Sequence, residues 1–200
     1  MQTYLALGDS YTIGEQVPLA ENFPSQTVDL VNASSALSIA APKIIAVTGW
    51  TTDELAAAIE AENIRDSFEI VSLLIGVNNQ YRGRTVTNYK EEFTELLHKA
   101  IEFAGGKSNR VFVLSIPDWG VTPFAEGKDR QDIAYKIDEY NAAKKAITLG
   151  KGCHYIDITQ STRAHGTDET YLTPDKLHYS AKAYKIWAEA LAALIVKELA

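Results

Sequence analysis

Apolar residues in this chain recur with two periods, and the two alternate from one end to the other. Short continuous runs come first. Tyr4-Leu5-Ala6-Leu7 stops abruptly at Gly8-Asp9-Ser10-Tyr11. Lys43–Thr48 carries Ile44, Ile45 and Val47. Phe68–Ile75 is the most hydrophobic run, and Arg110–Ile116 and Cys153–Ile158 complete the set. Runs of four to eight apolar residues without polar alternation are the mark of strands buried on both faces, as in a parallel sheet.

Between these runs the period lengthens to that of a helix. Tyr11–Gln16 reads as a turn entering a helix, and Phe23–Val31 as a helix. In Thr51-Thr52-Asp53-Glu54 a threonine and a glutamate three residues on form a capping box, which starts a helix running to about Glu62. Tyr89, Phe93, Leu96, Leu97, Ala100 and Ile101 share one face of a helix that Gly105-Gly106 ends. Ile133, Ile137, Tyr140 and Ile147 mark another, stopped by Gly150. Tyr184, Trp187, Ala188, Leu191, Leu194 and Ile195 give one apolar stripe on a closing helix. Gln80–Thr85, Pro117–Phe124 and Thr159–Pro174 read as loops, the second of them aromatic and placed to line a cleft. Strands alternating with helices predict a three-layer α/β/α sandwich around a five-stranded parallel sheet, flavodoxin-like in outline, with right-handed crossovers. Two hundred residues, 46% of them apolar, suffice for one domain spanning residues 1–200.

Chemistry in such a sheet gathers where strands end, and Ser10 stands at the end of the first. A serine hydroxyl is a weak nucleophile unless a histidine takes its proton and a carboxylate holds that histidine. Both are present in Leu172-Thr173-Pro174-Asp175-Lys176-Leu177-His178, just before the closing helix. Three positions apart, in a turn leading into a helix, the Asp175 carboxylate can fold back onto the imidazole Nδ1 of His178 and leave Nε2 free for Ser10. Gly-Asp-Ser alone is a common turn tripeptide, and Asp175 alone fits a helix cap. Their co-occurrence is what favours a triad.

Four blocks, Gly8-Asp9-Ser10, Gly49 within Val47-Thr48-Gly49-Trp50, Gly76-Val77-Asn78-Asn79 and Asp175-Lys176-Leu177-His178, stand in one order along the chain. In these blocks the sequence resembles the SGNH (GDSL-type) esterase/lipase family of serine hydrolases, with Tyr11 where the family name has leucine. The resemblance implies that Ser10 is the nucleophile, completed by Asp175 and His178. It also implies an oxyanion hole made by the amides of Ser10 and Gly49 and the side chain of Asn78. Asn79 departs from the family's aspartate at that position. Asp9, Tyr11, Asn79 and Trp119 are the neighbouring candidates for substrate contact, although Asp9 in such a tripeptide is more often a structural hydrogen-bonding residue.

A net charge of −7 disfavours phosphate backbones and anionic membranes, so no nucleic-acid partner is expected and a small, neutral or cationic ligand fits better; the resemblance implies that this ligand is a small-molecule ester substrate. Cys153 is the only cysteine; no Cys/His spacing suggests a metal, and no cofactor is implied. His98, His154 and His165 read as helix surface, strand and loop. No apolar run reaches membrane-spanning length and no leader pattern precedes Ser10, which reads as a soluble, cytoplasmic chain, or an exported one had a leader been removed. The activity expected is hydrolysis of short-chain acyl esters or acetylated carbohydrates through an acyl-serine. Lysophospholipase, thioesterase or acyltransferase chemistry on the same triad is the alternative. A non-catalytic carbohydrate- or lipid-binding module is the alternative of another class, and no Gly-x-Gly-x-x-Gly or Walker loop supports a nucleotide binder. Oligomeric state is not written in the sequence.

Overall fold

A computed structural model describes residues 1–199. Each of the five apolar runs supplies a strand within its expected span: β1 (Tyr4–Gly8), β2 (Lys43–Ala46), β3 (Ile70–Leu74), β4 (Val111–Leu114) and β5 (His154–Ile156). They pair in parallel in the order β2-β1-β3-β4-β5. The three inner strands are buried along their whole length, while β2 and β5 at the edges are only partly so. Continuous hydrophobicity therefore tracks burial on both faces.

After β1 the chain moves outward to β2, then crosses back to β3 and onward. Right-handed crossovers put helices reached in opposite directions on opposite faces. Accordingly α2 (Phe23–Ser34) packs with α8 (Ala181–Leu199) on one face, and α3 (Thr52–Glu62), α5 (Val86–Phe103) and α6 (Arg130–Gly150) form a row on the other. Their starts are locally specified. Asn22 caps α2 by accepting the Ser25 amide, Thr85 does the same for Asn88 in α5, and the Glu54 carboxylate takes the Thr51 amide at 2.8 Å ahead of α3.

The reversal of direction falls between β1 and β3, the place where open α/β sheets leave a crevice beyond the strand ends. Gly8 is level with both Ala46 and Leu74, so the segments after β1, β2 and β3 emerge on one rim. No helix among the described residues is long and apolar enough to cross a membrane.

Three expectations need correction. Tyr11–Gln16 is not the entry to a longer helix. The helix is a single turn, α1 (Ser10–Ile13), ended by Gly14 in the left-handed region. The loop expected over Gln80–Thr85 is partly helical, since α4 (Val77–Tyr81) opens directly from Gly76, whose φ of +126° turns the chain out of β3. Thr159–Pro174 holds α7 (Thr159–His165) and a 3₁₀ turn at Glu169–Tyr171, which places His165 at a helix end, stacked on Tyr171. That segment lacks an apolar stripe because it buries hydroxyls instead. Thr159 Oγ1 donates to the Ile116 carbonyl and Thr162 Oγ1 to the Thr159 carbonyl.

Candidate active site

Ser10 is positioned by the tightness of the turn before it. A Cβ on Gly8 would lie 2.1 Å from Thr12 Oγ1 and 2.4 Å from the Leu74 carbonyl, so the strand can pass into α1 here only as glycine. Asp9 caps that helix, accepting the Tyr11 amide at 3.1 Å, and its side chain is fully buried. Beyond α1 the amides of Gly14 and Glu15 both return to the Ser10 carbonyl, at 3.1 and 3.0 Å. Ser10 thus sits at the start of a closed turn, with little freedom left in its backbone.

Asp175 and His178 are held by an equally closed loop. The Thr173 amide bonds to the His178 carbonyl at 2.9 Å, and Lys176 adopts a left-handed φ of +61°. Oδ1 of Asp175 accepts the Thr173 hydroxyl (2.8 Å) and the amides of Leu177 (2.9 Å) and His178 (3.0 Å). Oδ2 accepts His178 Nδ1 at 2.6 Å and the side-chain amide of Gln16 at 2.7 Å. Partial burial alone would raise the Asp175 pKa; the hydrogen bonds, led by that from His178, outweigh it and hold the carboxyl at about 2. With Nδ1 donating to a carboxylate, a neutral His178 carries its free lone pair on Nε2.

Ser10, Asn78 and His178 line one cleft of about 150 Å³. Its remaining walls are apolar: Tyr11 and Val77, then Tyr81, Trp119 and Phe124 in edge-to-face contact, and Leu177. Trp119 is locked by its indole N–H, which donates to Gln80 Oε1 at 2.8 Å. Ser10 and His178 face this cleft without a hydrogen bond between them among the described residues; such contacts commonly tighten only when substrate binds.

Asn78 Nδ2 spends one hydrogen on the Trp50 carbonyl, at 2.9 Å, and keeps a second. That bond ties α4 to the segment after β2, where Gly49 lies in the left-handed region with its carbonyl accepting from Arg82 Nη2 at 2.7 Å. Of the candidate substrate contacts, Tyr11 and Trp119 line the cleft, whereas Asp9 and Asn79 do not. Asn79 is buried and braces α3 instead: its Oδ1 accepts the Thr52 amide at 3.1 Å and its Nδ2 donates to Thr52 Oγ1 at 2.6 Å.

Tyr81, Leu177 and Gln16 escape a reading of the sequence. Tyr81 falls in a stretch too polar to suggest a helix. Gln16 meets Asp175 only through space, and no local pattern signals it.

Residues 6–186 match the GDSL-like lipase/acylhydrolase family. No curated protein is matched by the chain's sequence. Among solved structures, the chain is similar to the lipase Lip_vut3 from a goat rumen metagenome (TM-score 0.79, 20% identity, 97% of each chain covered). It is also similar to TesA (TM-score 0.76, 15% identity, 99% of this chain and 100% of that one). A third is Axe2, an acetylxylan esterase from Geobacillus stearothermophilus (TM-score 0.74, 19% identity, 97% and 94%). At these identities the likeness is one of fold.

Proposed function

The chain belongs to the GDSL-like lipase/acylhydrolase family, and on that footing we propose that this hydrolase is a serine esterase acting on short-chain acyl esters through an acyl-serine intermediate. The observation that carries the reading is the His178 Nδ1 to Asp175 Oδ2 bond of 2.6 Å, at a cleft that Ser10 and Asn78 also line. In the reaction, Ser10 Oγ attacks the ester carbonyl carbon while His178 Nε2 takes the hydroxyl proton. The resulting imidazolium is stabilised by the Asp175 carboxylate. The tetrahedral oxyanion is held by the amides of Ser10 and Gly49 and the free hydrogen of Asn78 Nδ2. Collapse expels the alcohol, protonated by His178, and leaves an ester on Ser10. A water deprotonated by the same nitrogen then attacks that ester, releasing the carboxylic acid and restoring the serine hydroxyl. The whole of residues 1–200 serves as one catalytic domain in this reading.

Acyl length is argued from the cleft. It has apolar walls, no aspartate, glutamate, lysine or arginine in its lining, and about 150 Å³, room for a short chain. Acetylated carbohydrates, the substrate class named for Axe2, remain within it because the exposed rings of Tyr81 and Phe124 offer apolar faces to a sugar.

The test is hydrolysis of p-nitrophenyl esters from acetate to laurate. Turnover is expected to peak at short chains. Ser10→Ala and His178→Ala should lose on the order of 10⁴ to 10⁶ in kcat, and Asn78→Ala roughly 10² to 10³. Undiminished turnover in folded Ser10→Ala would remove the serine mechanism, and a laurate optimum would remove the short-chain reading.

A further inference from the structure

Gln16 is exposed, yet its backbone sits at a φ of +66°, a region that glycine or asparagine tolerates and a longer side chain enters with strain. A strained residue that persists on a surface directs attention to what its side chain does. Here it reaches Asp175 Oδ2 at 2.7 Å. A carboxylate only accepts, so it is the amide nitrogen of Gln16 that faces it. The same oxygen takes His178 Nδ1 at 2.6 Å, whereas Oδ1 is satisfied wholly from within its own loop, by Thr173, Leu177 and His178.

Among the described residues, Gln16 is therefore the one side chain joining this carboxylate to the turn that carries Ser10. That turn is itself rigid, because the two residues just before Gln16 both bond to the Ser10 carbonyl. A continuous path runs from the Ser10 backbone through Gln16 to Asp175 and on to the imidazole.

We propose that Gln16 is a positioning residue for the reaction, setting the placement of the Asp175–His178 pair relative to Ser10. The inference rests on the triad reading above. Gln16 touches no reacting atom; it acts through Asp175, by fixing the carboxylate that fixes the imidazole. Misplacement of about an ångström can cost a hundredfold in rate, so losing one of several restraints should cost about tenfold. The loss should fall on kcat, since Gln16 does not line the cleft.

Two variants separate this role from a merely structural one. Gln16→Gly removes the bond and relieves the backbone strain at once. It is expected to lower kcat about tenfold with KM within twofold, while the melting temperature stays level or rises. Gln16→Glu keeps the shape but puts a second carboxylate beside Asp175, and so favours the imidazolium. The titratable groups around that ring are Asp175 in its loop and Tyr11 from α1, whose phenol burial holds protonated. The acid limb of kcat/KM should therefore move to higher pH in Gln16→Glu.

Wild-type kcat in Gln16→Gly, a fall in kcat that follows a fall in melting temperature, or an unmoved acid limb in Gln16→Glu would each overturn the positioning role. Ser10→Ala and His178→Ala, assayed in parallel, keep the two readings apart. If those variants stay active the triad itself fails, and if they are inactive while Gln16→Gly is wild type only the positioning role fails.

Discussion

Asp9 is bonded to Ser10 in sequence but turned inward, with Oδ1 on the Tyr11 amide and Oδ2 buried without a partner among the described residues. Burial pushes its pKa up to about 7, against the Tyr11 amide and the charge of Lys144, which both lower it. Lys144, equally buried on α6 and donating to the Leu114 carbonyl at 2.9 Å, is pulled down to about 7 by its own desolvation. The sign for Asp9 follows from the raised value. Its contribution to stability is full below the ordinary carboxylate range near ~4 and is lost as pH rises towards about 7, because the folded state must then bury a charge. Asp9→Asn keeps the capping oxygen and removes the proton. It should therefore raise the melting temperature at pH 8 and leave it nearly unchanged at pH 4; equal changes at both would mean that Asp9 titrates normally. The candidate chemistry at this scale is legible where it is carried by residue type. Ser10, Asp175 and His178 announce themselves by what they are, whereas the inward turn of Asp9 and the reach of Gln16 depend on where the chain goes next.

Elements deliver these side chains through their ends. Gly76, left-handed between β3 and α4, has no room for a Cβ, which would lie 2.7 Å from the Tyr89 ring and 2.9 Å from Ile116. Gly76→Ala should destabilise the fold by about 2 to 4 kcal/mol, combining left-handed backbone strain with overpacking. It should also lower kcat beyond any loss of folded protein, because α4 carries Asn78 and the Tyr81 wall. Urea unfolding beside kinetics on the folded fraction checks both halves, and an effect below about 0.5 kcal/mol would show the junction to be slack. Strands and long helices were readable because burial imposes a period on them. The short helices α4 and α7 were not. The first is set by one glycine's φ and the second by buried threonine hydroxyls, and neither leaves a hydrophobic rhythm.

Across the whole molecule, acidity is expected to bias which esters reach the cleft. The net charge is −7. Cations in the segments that carry the site already face carboxylates: Arg82 meets Glu54 at 3.2 Å, Arg84 meets Asp53 at 2.6 Å, and Lys176 meets Glu169 at 3.9 Å. An ester bearing a carboxylate, such as an aryl hemisuccinate, should have a lower kcat/KM than a neutral ester of equal length. The gap should narrow as salt rises from 20 to 500 mM and screening shortens to a few ångströms. A gap that ignores salt would assign the preference to shape.

The sheet order carries one more consequence. The strand that leads into Ser10, β1, is flanked on both sides by strands made later, and His178 follows the last of the five. On the proposed triad, synthesis therefore delivers Ser10 well before His178. A nascent chain halted between the two would hold the proposed nucleophile without its proposed base, and is expected to stay inert towards esters until the loop carrying His178 docks.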